Sequence, residues 1–529
     1  MRDFHLPGRS PAFAANAMCA TSHPAAVAAA LDILRTGGNA ADAAIAGALV
    51  LGLGEPAMTG LGGDMFALIK PAGSEEILGL NASGRAPAGL SAAALRAKGW
   101  TSMAEDDAHS VVVPGAIAGF AALAERCGRK GLDALVAPAI ALAEEGCPVV
   151  PRAAYDWARA EPRMRGAMRR NYLKDDRPLK AGELFHHPGQ AEVLRAIQSQ
   201  GIKGFYEGPV AEDMVASLRA LGGSHSMKDF AAVRVDWVDP IAGPYRGAEI
   251  VELPPNTHGA TAILMARLLE RFDIANLDPL GADRVHLEIE AAKLAYAARN
   301  AAIADPDHMT YPLEDFIGST LAERLAARID PERAQPAPAN AIDLGSKHKD
   351  TIYITVVDRD RMAVSLIYSV FHDFGGCIAS ERYGINFNNR AAGFNLTEGH
   401  PNEAAGGKRP LHTIIPGMLR IDSRVVMPFG VMGGGYQPHG HVRLVSNLLD
   451  YGLDPQAAQD MARAFHDDGT TYLERGYDQK VREALTAKGH RIDTQDVPLG
   501  GSQAIWIDHD RGVLIGGSDP RKDGLALGY

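Results

Sequence analysis

A threonine heads a segment built to be a strand. Asp350-Thr351-Ile352-Tyr353-Ile354-Thr355-Val356-Val357-Asp358 alternates β-branched and aromatic residues from position 351 to 357. A hydroxyl there is fixed against a rigid sheet edge. It is a poor nucleophile at neutral pH and needs an adjacent base. Asp358-Arg359-Asp360 reads as a turn, and Met362 to Val370 as a return strand carrying Ser369 near its end. Farther on, Met432-Gly433-Gly434 follows an apolar strand and leads through Gly435-Tyr436-Gln437-Pro438 toward a helix. Backbone N–H groups at Gly433 and Gly434 can point at a developing oxyanion, with no Cβ to obstruct a close approach.

Other chemistry-bearing patterns lead elsewhere. The run Thr59-Gly60-Leu61-Gly62-Gly63-Asp64 has no Gly-Lys-Ser/Thr ending, and Met65 stands where a third dinucleotide-binding glycine belongs, so it reads as a tight turn before a strand. His439 and His441, with His412 and His372, invite a metal reading. No carboxylate or third ligand sits at a recognisable spacing, so hydrogen-bonding histidines and no metal are expected. Cys19, Cys127, Cys147 and Cys377 are scattered without CxxC spacing, which indicates neither a zinc site nor a disulfide framework. No cofactor motif emerges.

The positioning elements follow from periodicity. Helices are expected at Ala25 to Leu34 with Ser22 as N-cap, and at Ala40 to Val50 with Asn39 opening the helix. The whole apolar stretch Ala40 to Leu53 is too short to span a bilayer and reads as a core helix. From Pro114 to about Tyr206 the pattern is helical, and further helices are expected at Val210 to Leu221, Thr261 to Phe272 and Asp283 to Ala302. Asp330 to Lys349 is polar and punctuated by proline and glycine, the best candidate for an exposed connection or processing site. After it the period switches to two. Strands are expected at Ile385-Phe387, Val425-Met427, Ala504-Ile507 and Val513-Ile515, and helices at Pro438 to Leu449, Pro455 to Phe465 and Tyr477 to Lys488. A helix-rich first part sharing sheets with a strand-rich second part predicts a layered α+β sandwich. The net charge of −11 disfavours a nucleic-acid partner, and the amino terminus lacks a basic segment followed by an apolar run. A cytoplasmic location without membrane attachment is expected.

Several segments in order resemble the γ-glutamyltransferase (glutathione hydrolase) family across nearly the full length. They are Gly37-Gly38-Asn39-Ala40-Ala41-Asp42-Ala43, the run Thr59 to Asp64, Val113-Pro114-Gly115-Ala116, Asp350 to Asp358, Gly407-Lys408-Arg409-Pro410-Leu411, Met432-Gly433-Gly434 and Ser518-Asp519-Pro520-Arg521. The resemblance implies a four-layer αββα sandwich of the N-terminal nucleophile type and a precursor that cuts itself between Asp350 and Thr351. Residues 1–350 would form the large fragment and 351–529 the small one. The two would stay together as one unit, and a homo-oligomer of that unit is left open. Cleavage would free an α-amine on Thr351, with a pKa of roughly 8, able to take the hydroxyl proton. By the same resemblance Ser369 matches the hydroxyl that hydrogen-bonds the nucleophile, and Gly433 and Gly434 match the oxyanion-hole glycines.

The substrate grip departs from the family pattern. The usual Asn-Asn-Gln followed by an aspartate reads Asn388-Asn389-Arg390-Ala391-Ala392-Gly393, so an acid that holds an α-ammonium is gone and a cation has come in. An asparagine position is Phe371, and a Ser-Ser pair is His412-Thr413. Arg85 keeps the place of an arginine before Ala-Pro that grips an α-carboxylate. The chain between Phe394 and Lys408 is shorter than in members whose loop covers the site, resembling the acylase and oxamate-amidohydrolase branches. A small amide bearing a carboxylate is the implied substrate: a γ-glutamyl or similar amide first, a non-glutamyl amide such as oxamate second. Arg390 is suited to a bidentate grip on such a carboxylate. The competing class is a binding protein that kept the fold and lost catalysis; the intact Asp350-Thr351 junction, Ser369 and Gly433-Gly434 argue against it.

Overall fold

The computed structural model describes residues 5, 8–336 and 351–529. Two seven-stranded sheets, all antiparallel within themselves, lie at its centre. One runs in the order Leu525–Gly528, Met18–Thr21, Ile352–Val357, Ala363–Ser369, Asp64–Lys70, Leu78–Ala82, Asp236–Val238. The other runs Ala12–Ala14, Val513–Ser518, Gly501–Asp508, Arg424–Met432, Gly417–Ile421, Ala248–Glu252, Ile241–Tyr245. Each sheet takes strands from both sides of position 351, so neither part of the chain holds a whole sheet.

Side-chain alternation separates three apolar layers. From Ile352–Val357, Tyr353 and Val357 face the space between the sheets, where they meet Phe66, Ile367, Met418, Met432 and Ile505. Ile352, Ile354 and Val356 face the opposite way, onto helices Pro24–Arg35 and Ala40–Gly54. Leu419, Met427, Phe429 and Ala504 face helices Gly259–Leu269, Ala282–Ala302 and Gln437–Leu449 on the far side of the second sheet. Helices therefore cover both outer faces, giving the αββα sandwich expected. A polar link crosses the inner layer: the Tyr353 hydroxyl lies 2.7 Å from Ser365 Oγ, which donates to the Phe429 carbonyl of the other sheet at 3.1 Å. Gly430 makes that approach feasible, because a Cβ there would fall 2.4 Å from the Tyr353 ring.

Every residue of Ala40–Gly54 is buried, which accounts for its all-round apolar character. Asn39 caps it, accepting from Asp42 N while Asp42 accepts from Asn39 N. Among the described residues no helix is long and apolar enough to cross a membrane.

Three local expectations are corrected. Ser22 does not cap the first helix; His23 Nδ1 accepts from Ala25 N, and the Ser22 hydroxyl donates to Glu55 instead. Ile385-Phe387 is no strand, only isolated bridges of Asn386 to Ala379 and Phe387 to Gly62, because tertiary partners use its backbone one residue at a time. The helix begun at Pro455 stops at Asp460, and Ala464–Asp467 is a strand paired with Thr470–Leu473. The apolar run there served two elements. Asp350 and the connection 337–349 lie outside the described residues.

Candidate active site

Three strand ends meet in one row. Ile352 pairs with Tyr368, so continuing the register by one residue sets Thr351 opposite Ser369; Ser369 in turn pairs with Asp64. Alternation turns all three side chains toward the space between the sheets, as it does Tyr353, Ile367 and Phe66. Thr351, Ser369 and Asp64 are each buried.

The second sheet supplies the opposite wall. Strand Arg424–Met432 ends at Gly433, whose φ is +113°, and Gly434 follows at +53°. Both values favour glycine, and a Cβ on Gly433 would fall 2.9 Å from the Gly500 Cα. The turn delivers helix Gln437–Leu449, whose first residue reaches back: Gln437 Nε2 donates toward Thr351 Oγ1 at 3.4 Å. The same amide's Oε1 accepts from Ile415 N at 2.9 Å, which fixes its orientation.

Arg390 is the centre of the polar cluster. Its guanidinium is fully buried; Nη2 donates to Ser369 Oγ at 3.2 Å and Nη1 to Thr413 Oγ1 at 3.1 Å. Phe371 lies under its plane, with Cζ 4.1 Å from the ring centroid. The Phe371 backbone holds a φ of +88°, strain of about 1–3 kcal/mol for a non-glycine residue. That turn lets Phe371 N donate to Ser369 Oγ at 2.8 Å. Asn388 supports the loop from behind: its Oδ1 accepts from Arg390 N and Val112 N, and its Nδ2 donates to the Gly62 and Val112 carbonyls.

Asp64 is one of two functional-site residues that sequence reasoning passed over. Its Oδ1 accepts from Gly84 N at 2.8 Å and Gly115 N at 3.2 Å; its Oδ2 lies 3.3 Å from His412 Nε2 and 4.0 Å from Arg390 Nε. Ile414 N donates to His412 Nδ1, so the proton belongs on Nε2, which donates to Asp64. Burial, with Arg390 next, holds His412 neutral, well below its ordinary range. Burial pushes the Asp64 carboxyl up to about 6 against the pull of Arg390, and it pushes Arg390 down to about 9. The one available signal was an aspartate heading an apolar strand directly after the glycine run. Gln437 was passed over too, since nothing in a helix-opening glutamine reveals a partner 86 residues away.

The remaining expected residues fall in different places. Arg85 joins a neighbouring charged cluster: it donates to Asp305 Oδ2 at 3.3 Å and the Gly407 carbonyl at 3.2 Å, and lies 3.6 Å from Asp236. Arg409 bridges that cluster toward the site, donating to Asp236 and to the Ser83 carbonyl. Segment 394–408 packs down on residues 86–103, with Phe394, Leu396 and Ala404 against Ala86, Leu90 and Leu95. His439 faces Glu288 at 3.7 Å, and His441 Nδ1 lies 2.7 Å from Glu252. Each is a buried histidine beside a carboxylate, and the pair does not converge on one centre.

Comparison with known proteins agrees with this fold. The family model for gamma-glutamyltranspeptidase matches residues 26–529. The chain is 32% identical to the glutathione hydrolase-like YwrD proenzyme of Bacillus subtilis over 94% of its own length and 95% of that protein. It is 30% identical to the oxamate amidohydrolase proenzyme of Klebsiella pneumoniae, over 97% and 98%. The cephalosporin acylase of Bacillus halodurans superposes with a TM-score of 0.92 at 35% identity, covering 100% of this chain and 99% of that one. The chain belongs to the gamma-glutamyltranspeptidase family and is an enzyme of its N-terminal-nucleophile amidohydrolase and acylase fold.

Proposed function

We propose that the chain cuts itself before Thr351 and then hydrolyses a small carboxylate-bearing amide through an ester on the Thr351 hydroxyl. The observation that carries this reading is the row Thr351, Ser369, Asp64 with Arg390 bonded to its central hydroxyl. In the mature form the freed α-amine takes the Thr351 proton as the hydroxyl attacks the amide carbonyl. Ser369 and Gln437 hold the nucleophile, and the N–H groups of Gly433 and Gly434 receive the oxyanion. The amine leaves with the proton; water then attacks the ester and regenerates the threonine. The relatives named as proenzymes support the cutting step.

Arg390 receives the substrate carboxylate in this scheme. Its guanidinium has five N–H donors, of which the Ser369 and Thr413 hydroxyls use two. Phe371, His412 and Thr413 line the remainder, and the partly exposed Arg85 meets the substrate farther out. A γ-glutamyl or similar amide is the first choice. The contact between Arg390 and Ser369 favours a second reading, a short acyl group such as oxamate, because it sets the carboxylate beside the cross-strand partner of the nucleophile. A ladder of ω-amides from oxamate to γ-glutamyl amides, each with and without glycylglycine, tests both points. Activity is expected to peak at one chain length, with hydrolysis dominating and the acceptor changing the rate less than about twofold. A dominant transfer product, or no activity on any carboxylate-bearing amide, overturns the reading.

The titration of Asp64 adds a second test. As pH rises through about 6 its carboxyl ionises and takes part of the field of Arg390. Arg409, His412, Tyr206 and Tyr368 also face that carboxyl; burial holds His412 well below its ordinary range and pushes both tyrosine hydroxyls up, so neither ring type competes with Asp64 in this window. The inhibition constant of a simple carboxylate competing with substrate is expected to weaken several-fold from pH 5 to 7. Asp64→Asn should flatten that profile; an unchanged slope in the variant contradicts the assignment.

A further inference from the structure

Helix Ala282–Ala302 presents His286 and Glu290 four residues apart on one face, and the chain after helix Gln479–Ala487 lays His490 against them. His286 Nδ1 and His490 Nε2 stand 2.8 Å apart, and with a Glu290 carboxylate oxygen they form a set whose atoms all lie within 4.8 Å of one another. All three residues are buried, Glu290 at 2% and His490 at 4% exposure. The far nitrogen of each ring is also engaged. His286 Nε2 lies 2.8 Å from the Asp330 carbonyl, which can only accept, so the proton sits there and Nδ1 presents a lone pair to the cluster. Without a metal, His490 Nε2–H donates to that lone pair at 2.8 Å; moving the proton to Nδ1, 3.5 Å from Thr471 Oγ1, which can accept it, leaves a second lone pair facing the first. A remote N–H held by an oxygen is the support that metal-ligating histidines show.

We propose that His286, Glu290 and His490 bind a divalent transition-metal ion of the zinc class. Two imidazoles and one carboxylate suit Zn(II), with water at the fourth position. At bond lengths of about 2.1 Å, tetrahedral donors stand about 3.4 Å apart, so the imidazoles part slightly and the carboxylate draws in. Lys293 is the resident cation: its Nζ donates to Glu290 Oε1 at 2.7 Å and to the Gln335 carbonyl at 3.0 Å. The metal displaces it from the carboxylate.

The location gives the ion its role. Asp330 and Gln335, whose backbone touches His286 and Glu290, precede the 337–350 connection, and His490 lies beyond Thr351. Ala334 N donates to the Lys488 carbonyl at 2.8 Å alongside. The ion would tie the end of the large fragment to the small one, a consequence that rests on the proposed cut, whereas binding itself does not.

Chelator-stripped full-length protein titrated with Co(II) is expected to develop the visible bands of a tetrahedral site, saturating at one equivalent. Zn(II) should displace the cobalt and raise the melting temperature. Glu290→Gln and His490→Gln should each weaken Co(II) binding at least tenfold, while Lys293→Met, which removes the competing cation, should tighten it. Absence of tetrahedral bands in the wild type, or no tightening in Lys293→Met, overturns the proposal. These two readouts stand even where a ligand variant fails to fold, and neither depends on amidase activity.

Discussion

Replacing Thr351 with alanine is expected to leave one chain of 529 residues with no measurable amidase activity, while the wild type resolves into fragments 1–350 and 351–529. Both losses have one cause. In the proposed scheme one hydroxyl attacks the peptide bond before it during maturation and later attacks substrate. The variant should still fold. Thr351 lies just ahead of the strand Ile352–Val357, its hydroxyl accepts one long contact from Gln437, and losing such a bond costs about 1 kcal/mol. A denaturing gel with a melting curve separates the outcomes: one band with near-native melting supports the account, and two bands overturn it.

Arg390→Gln is expected to lower kcat/KM on a carboxylate-bearing amide by roughly 30-fold or more while fragments still form. Truncating one partner of a buried charge-assisted pair costs about 2–5 kcal/mol, which sets that range. The native guanidinium sits among the Ser369 and Thr413 hydroxyls, the Phe371 ring and the Asp64 carboxylate. Glutamine can keep one hydroxyl contact and cannot keep the charge. Part of any loss will reflect Asp64 left without its cation, so the neutral analogue of the same amide is the essential control. It should lose much less than the charged substrate. Equal losses on the two substrates assign Arg390 to holding the fold through Asp64, and the carboxylate argument falls with it.

What the chain reveals before folding depends on how local the cause is. The strand headed by Thr351 announces itself because alternation is written over consecutive residues, and the Asn39 cap because its partner Asp42 is three residues away. Arg390 stood out as a departure from a family pattern, although its partners Ser369 and Thr413 lie on separate segments. Asp64 could not be placed the same way. Its role depends on Gly84, Gly115, Arg390 and His412, which converge only when the sheet forms. His286 and Glu290 share a helix face, yet His490 lies 204 residues from His286. Ser22 shows the reverse failure: a good local cap was outcompeted by Glu55, a partner that only the tertiary fold supplies.

The central claim is that Thr351 carries the acyl group. Mixing the processed enzyme with a turned-over amide, quenching in acid and mapping the mass of the small fragment tests it most directly. An adduct equal to the acyl group is expected on the amino-terminal peptide that begins at Thr351, present during turnover and absent once the substrate is exhausted. An adduct on another residue, or a small fragment whose sequence starts elsewhere, contradicts it.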